Sequence, residues 1–372
     1  MTLMHSAPCL MRKVISSLPD SITNALNYQF STDFIHKHRK CLIRWNLELS
    51  KAQRRRVQLF FSNGLNIVKY LVKLRSALST TEKVVVPIGS SVNGLGSKNS
   101  DLDIVLVTDH QEAKQSIFNE KFKKDQHFRK IQMKAVADIL RSRKLVDPNS
   151  IQQLVPILKF RSCDGVNVDL QFNNIPSIRS SLFVRTCVEF SMIVPINIHW
   201  INSFFKAAQL KDSRHGLFSS YHLNMLALHF LQATPSPLLP DMISSYPYLQ
   251  PTVPWQNVAE RLTTEISERY TMDSSSFEDH VSAAEVIVKM IDYYSQMDLL
   301  NVAIDTTGKC YRRFTEDEEY GSIELIDPYF RESSLPNSRC NVQNSSYLVQ
   351  QSFSALKSEL ECGNLQKLTR IV

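Results

Sequence analysis

Two aspartates one residue apart, Asp101 and Asp103 in the stretch Lys98-Asn-Ser-Asp-Leu-Asp103, stand out for the chemistry their spacing allows. In a strand, positions i and i+2 point to the same face, so these carboxylates would lie side by side. Adjacent carboxylates repel one another unless a cation sits between them. Mg²⁺ suits such a pair, because it is a hard ion bound through one or two carboxylates plus the phosphates of a substrate. Asp169, in Val166-Asn-Val-Asp-Leu-Gln-Phe172, has apolar neighbours at 168 and 170 and so faces away from them. Three carboxylates on one sheet face could hold two metal ions for an in-line phosphoryl displacement.

A glycine turn precedes the pair. Of nine glycines in the chain, three fall in Gly89-Ser-Ser-Val-Asn-Gly-Leu-Gly96, directly after a strand-like run. Glycine lets the backbone approach an anion, and a turn of this kind aims free N–H groups at it. The segment reads as a phosphate cradle, with a plain turn as the alternative.

These residues need elements to hold them. Val57, Phe60, Phe61, Leu65, Val68, Leu71 and Val72 recur every three to four residues, which predicts an amphipathic helix ending near Ser79, with Arg54, Arg55 and Arg56 at its exposed start. Short β-branched runs predict strands at 83–88, 102–107, 157–160 and 166–172, with a charged helical segment over 111–143. Residues 80–180 therefore read as a mixed α/β unit. From Ser181 the apolar spacing is helical in 194–210, 220–232 and 281–297, interrupted by Pro235, Pro237, Pro240 and Pro247. The expected fold class is α+β. The expected divisions are an N-terminal extension (1–40), a helical segment packed on the central domain (41–79), a catalytic domain (80–180), a helical central domain (181–345) and a C-terminal tail (346–372).

Composition bounds the function. The 372 residues are 43% hydrophobic and 21% charged, which excludes disorder, collagen and coiled coil as the main character. The net charge of +7 suits an anionic partner. Seven cysteines without a C-x-x-C favour a reducing compartment over a disulfide framework or zinc ribbon. No apolar run approaches the roughly 20 residues of a membrane span. Residues 1–19 have a faint presequence character, with only Arg12 and Lys13 as positive side chains.

The string Pro-Ile-Gly-Ser-Ser-Val-Asn-Gly-Leu-Gly-Ser-Lys-Asn-Ser-Asp-Leu-Asp-Ile, followed by Asp169, resembles the DNA polymerase β-like nucleotidyltransferase superfamily. Within it, the string is similar to the cytoplasmic poly(A) polymerases and terminal uridylyltransferases that carry a PAP-associated domain. The resemblance spans about residues 55–340. It implies a nucleotidyltransferase domain joined to a mainly helical PAP-associated domain. It further implies two Mg²⁺ or Mn²⁺ ions held by Asp101, Asp103 and Asp169, with Asp169 helping to activate an RNA 3′-hydroxyl.

The nucleotide contacts follow from the same resemblance. Gly89 and Ser90 would meet the triphosphate. Pro176-Ser-Ile-Arg-Ser-Ser181 resembles the family segment Gly-Ile-Arg-Asn-Thr, which places Ser180 and Ser181 at the sugar and base. Lys206 matches the second of two family lysines on one helix face, while Asn202 stands where the first would be. Ser220 and Tyr221 match a serine that binds phosphate and a tyrosine that stacks on the base. Asp327-Pro-Tyr-Phe330 resembles the family's Asp-Pro-Phe motif, and the following loop, 327–339, lacks the histidine that uridylyltransferases often carry there. That favours ATP over UTP. Asp109 and Asp164 read as turn residues, and His222 and His229 as structural.

The leading expectation is thus AMP addition from ATP to RNA 3′ ends in the cytoplasm, with the nucleus and mitochondrion as alternatives. Uridylyl or mixed-nucleotide tailing, a weakened scaffold of the same family, and a small-molecule acceptor are the competing readings. No RRM, KH or zinc-knuckle signature occurs, so a separate RNA-binding protein partner is expected, with neither DNA nor membrane involved.

Overall fold

The computed structural model describes residues 26–98, 100–154, 156–269, 282–313, 321–330 and 344–371. The presequence-like N-terminus and residues 331–339 of the base-contacting loop lie outside them.

A long helical segment, α1 (Gln29–Leu78), kinked at His38, runs along both halves of the molecule. It begins twelve residues before the expected boundary at 41 and ends at the expected Ser79, which forms its C-cap. Its second half packs Tyr70, Leu71, Leu74 and Leu78 onto one face of a five-stranded sheet. The strands are β1 (Val84–Ile88), β2 (Leu102–Val107), β3 (Gln152–Leu154), β4 (Ile157–Arg161) and β5 (Asn167–Phe172). Their order is β1-β2-β5-β4-β3, with β2 and β5 parallel and the other pairs antiparallel. The helical segment expected over 111–143 is two helices, α2 (Glu112–Lys124) and α3 (Gln126–Ser142). Asp125 divides them, since its carboxylate accepts from the Phe128 N–H at 2.9 Å and caps the second.

Strand alternation sets the two faces. Leu102, Ile104, Leu106, Val168 and Leu170 join the core under α1, α2 and α3. Val105 and Val107 join the larger core on the other face, together with Ile178 and Leu182 of α4 (Ile175–Phe190). α4 crosses the expected domain boundary at 180, so the catalytic sheet and the helical unit share one continuous core. The remaining long helices are α5 (Ile193–Ala207), α6 (Ser220–Ala233), α7 (Trp255–Arg269), α8 (Ala283–Gln296) and α9 (Ser345–Glu361), with one-turn helices at Met242–Ser245 and Gln366–Thr369.

Two features depart from expectation. The second unit contains a small sheet, β6 (Val302–Asp305), β7 (Cys310–Arg312) and β8 (Leu325–Ile326), ordered β7-β6-β8. The segment expected as a C-terminal tail is largely α9, whose Val349, Phe353, Leu356 and Leu360 are buried. Its Lys357 donates to the fully buried Asp292 of α8 at 2.9 Å, and Asp292 also accepts from the Ser31 N–H of α1 at 2.9 Å. No single described helix is long and apolar enough to cross a membrane.

Candidate active site

One rung of the sheet carries the chemistry. Pairing places Ile88 opposite Asp103, Asp103 opposite Asp169, and Asp169 opposite Lys159. Side chains on one rung share a face, so Asp103, Asp169 and Lys159 stand in a row and Gly89 begins the turn at its end. Asp101 lies two residues before Asp103 on the same face, where Asn167 Nδ2 donates to its Oδ1 at 3.1 Å.

Gly89 adopts φ +66°, and a Cβ built there would come within 2.7 Å of Asp103 Oδ2. Both facts demand glycine: the conformation is left-handed, and the carboxylate occupies the space. The Gly89 N–H donates to Ser181 Oγ at 2.9 Å, and that hydroxyl donates to the Ser177 carbonyl at 2.6 Å. Ser181 is buried, so it pins the glycine turn to α4. Ser180 is also buried and donates to the Ser177 carbonyl at 3.3 Å. Both hydroxyls thus donate to the Ser177 carbonyl, and Ser181 lies against the glycine turn. Ser90 sits partly buried in the 3-10 turn Gly89–Ser91.

The carboxylates are short of positive charge. Burial, then Asp169, then Asp101 push the Asp103 carboxyl up to about 7, against the pull of Lys159. Lys159 Nζ is bonded to Asp169 Oδ2 and is the one cation on the rung. Strand periodicity places Lys159 outward in 157–160, but only the pairing of β4 with β5 brings it to Asp169.

The donor set is hard oxygen with excess negative charge, which fits Mg²⁺ or Mn²⁺. As they stand, Asp169 is turned to Lys159 and Asp101 to Asn167. Among the described residues no three His, Cys, Asp or Glu side chains converge as a metal site. Lys159 holds one oxygen of Asp169, so its ammonium and a divalent ion would compete for that carboxylate.

A second cluster joins two motifs that lie far apart in sequence. Tyr221, on α6, donates its hydroxyl to Asp327 of the Asp-Pro-Tyr-Phe stretch. Asp327 is buried, and burial pushes its carboxyl up. The Tyr221 ring packs edge-on against Phe330 at 5.6 Å between centroids. Ser220 is exposed at the first turn of α6, while Ser219 caps the helix by accepting from the His222 N–H. His222 completes that capping box, accepting from the Ser219 N–H at 3.1 Å; His229 is buried against the Asp305 carbonyl and the Tyr293 hydroxyl. Both are structural, as the sequence indicated.

Lys206 is exposed at the end of α5, beside Lys211. The Asn202 amide is committed, donating to the Ile198 carbonyl and to Asn224 Oδ1, each at 2.8 Å. Asp109 accepts from the Gln111 N–H at 2.9 Å, and Asp164 pairs with Lys73 at 3.0 Å, so both are turn residues apart from the carboxylate row.

Fold and carboxylate row together resemble those of the polymerase β-like nucleotidyltransferases. Residues 53–189 match the family described as poly(A) RNA polymerase, mitochondrial-like, central palm domain. The Poly(A) RNA polymerase GLD2 of Danio rerio is 32% identical over 181 residues, which is 46% of this chain and 35% of that protein. The human protein of the same name is 34% identical over 163 residues, covering 43% and 33%. The chain thus spans about a third of the length of these relatives. A solved GLD-2/RNP-8 complex aligns over 88% of this chain and 98% of that one, with a TM-score of 0.63 and 19% identity. The crystal structure of the Cid1 poly(U) polymerase aligns over 85% and 94%, with a TM-score of 0.60 and 15% identity. Over part of its length the chain is thus similar to poly(A) RNA polymerases, and its fold is similar to that of the GLD-2 and Cid1 structures.

Proposed function

We propose that this protein is a template-independent RNA nucleotidyltransferase that adds AMP from ATP to RNA 3′ ends. The observation that carries it is the single rung on which Asp103, Asp169 and Lys159 lie in register, closed by a glycine turn that leaves no room for a Cβ beside Asp103. The named relatives support it.

Asp101, Asp103 and Asp169 would hold Mg²⁺ or Mn²⁺, which when bound neutralises the triphosphate and supports in-line displacement. The protein's own groups do the rest. Free N–H groups of the turn after Gly89 bind phosphate, and Ser181 keeps that turn fixed on α4. Asp169, freed from Lys159, is placed to accept the proton of the attacking 3′-hydroxyl, while the released ammonium is left beside the phosphates. Tyr221, fixed by Asp327, presents an aromatic ring to the base.

The relatives named above include a GLD-2 bound to RNP-8, and another fold relative is a GLD-2 bound to GLD-3. A separate RNA-binding protein is accordingly proposed as the source of RNA choice, and the cytoplasm as the site of action. The test is extension of a 5′-labelled oligo(A) primer with Mg²⁺ or Mn²⁺ and each NTP separately. Extension with ATP above UTP supports adenylyl transfer. A preference for UTP promotes uridylyl transfer, a reading in keeping with the fold likeness to the Cid1 poly(U) polymerase at a TM-score of 0.60.

A further inference from the structure

The solvent side of α1 carries a line of charge of nearly one sign. After the kink at His38, positions 40, 44, 48, 51, 55, 58, 62, 66, 69 and 73 follow one another at three or four residues, so they lie along one side of the helix. All ten are exposed. Six are the cations Lys40, Arg44, Lys51, Arg55, Lys69 and Lys73, and Glu48 is the one acid among them. The other three, Gln58, Ser62 and Asn66, are neutral and polar. At about 1.5 Å per residue the line is roughly 50 Å long. The opposite side of the helix is locked in place, with Leu42, Trp45 and Leu49 in the larger core and Tyr70, Leu71 and Leu74 in the smaller.

A solvated helix face ordinarily mixes signs, and the neighbouring helices do so. Lys124 of α2 pairs with Glu120 at 2.7 Å, and Arg141 of α3 with Asp138 at 3.2 Å. On α1 the pairs Lys40 and Arg44, Lys51 and Arg55, and Lys69 and Lys73 stand four residues apart instead, a spacing at which like charges repel. Among the described residues, Lys73 alone of the six has a carboxylate partner, Asp164 at 3.0 Å. A repulsive line that the fold leaves without counter-charge is complementary to a polyanion.

The rest of the surface says which polyanion. A protein interface has an apolar centre, whereas none of the ten positions is apolar and the exposed Ile43 and Leu47 stand beside the line rather than on it. A membrane-bound helix inserts its apolar side, which here is packed in the core. A nucleic-acid single strand can follow a straight cationic track along its backbone. The track also ends near the chemistry. Asp164 lies in the turn from β4 into β5, and three residues further on Asn167 Nδ2 donates to Asp101 Oδ1 at 3.1 Å.

We propose that the outward line of α1, from Lys40 to Lys73, binds the phosphate backbone of single-stranded RNA behind a 3′ end delivered to the carboxylate row. The choice of RNA among polyanions rests on the nucleotidyltransferase reading above; the demand for a polyanion does not.

The test uses the full chain and a 5′-labelled oligo(A) without a triphosphate, read by fluorescence anisotropy over a range of salt. Lys40→Gln with Arg44→Gln, and separately Lys51→Gln with Arg55→Gln, are each expected to weaken binding by about tenfold and to make the salt slope shallower by about 0.7 per contact removed. Arg44→Lys with Arg55→Lys should keep the affinity, because charge rather than a fixed fork is what a backbone track needs. Lys367→Gln with Arg370→Gln removes the same charge from an exposed site off the line, and should leave binding unchanged. Equal weakening by that control, or parent-like affinity in both α1 pairs, overturns the track. Poly-glutamate that competes as well as unlabelled oligo(A) overturns it in favour of an acidic protein partner. Primer extension by the parent is run alongside. A parent that binds oligo(A) through the line but extends no primer sinks the catalytic reading and leaves the track standing; extension with binding indifferent to the α1 pairs sinks the track alone.

Discussion

Gly89 carries the tightest constraint in the site, because backbone and side chain both forbid a replacement. Gly89→Ala strains a left-handed residue, at a cost of about 1 to 3 kcal/mol, and drives a methyl group against Asp103 Oδ2. Displacing a reacting group by about 1 Å can cost on the order of 10²-fold in rate. Primer extension by Gly89→Ala is therefore expected to fall by about that factor while circular dichroism shows the fold retained. Wild-type rates in that variant would remove the turn from the site. Lys159 makes the opposite kind of prediction. Its ammonium neutralises Asp169 in the resting protein and competes with any divalent ion for the same oxygen. Lys159→Met should tighten Mn²⁺ binding by roughly threefold to tenfold, measured by calorimetry. Unchanged or weaker binding would mean that the ammonium does not oppose the ion.

The carboxylates and the glycine turn were legible because their signal is local. Spacing of two in Asp101-Leu-Asp103 fixes a shared face whatever the sheet around it. Lys159 was not legible in that way, because its role depends on which strand pairs with β5. Ser181 shows the same limit. The resemblance implies a nucleotide contact at this residue, whereas its bond to the Gly89 N–H depends on how α4 packs beside β1.

At the scale of elements, regular periodicity was readable and closure was not. Strands β1, β2, β4 and β5 and helices α5, α6 and α8 fall within a few residues of the expected runs. The sheet β6–β8 was missed because its strands are two to four residues long, too short for alternation to stand out. Helix α9 occupies the segment expected as a C-terminal tail, although Val349, Phe353, Leu356 and Leu360 keep helical spacing. Phe353 is fully buried against Phe204, Phe205 and Tyr294. Phe353→Ala should therefore cost about 3 to 5 kcal/mol, read as a lower urea midpoint with an unchanged slope. A shift below about 1 kcal/mol would show that α9 is an appendage. Tyr221→Phe tests the link between α6 and the Asp-Pro-Tyr-Phe stretch. It removes one donor from buried Asp327, which keeps the Tyr329 N–H at 2.7 Å, and should cost about 1 to 3 kcal/mol in the same urea experiment. No loss of stability would mean that the two motifs are not coupled.

Across the whole molecule, α1 fastens the catalytic sheet to the helical unit. Near its start the Ser31 N–H is held by Asp292; near its end Tyr70 donates to the Leu145 carbonyl at 2.9 Å and Lys73 pairs with Asp164. The sequence announced this helix by its apolar spacing but not its reach, because the first half is anchored by contacts with residues more than 200 positions away. The resulting frame carries the strands on which the carboxylate row stands. The most direct measurement is extension of a labelled oligo(A) primer by Asp101→Ala and Asp103→Ala beside the parent, with melting temperatures recorded for all three. Removing a repelling carboxylate leaves the metal-free sheet intact, so the variants should melt at or above the parent's temperature while extension falls by at least about 10³-fold. Either variant extending the primer at the parent's rate would contradict the assignment.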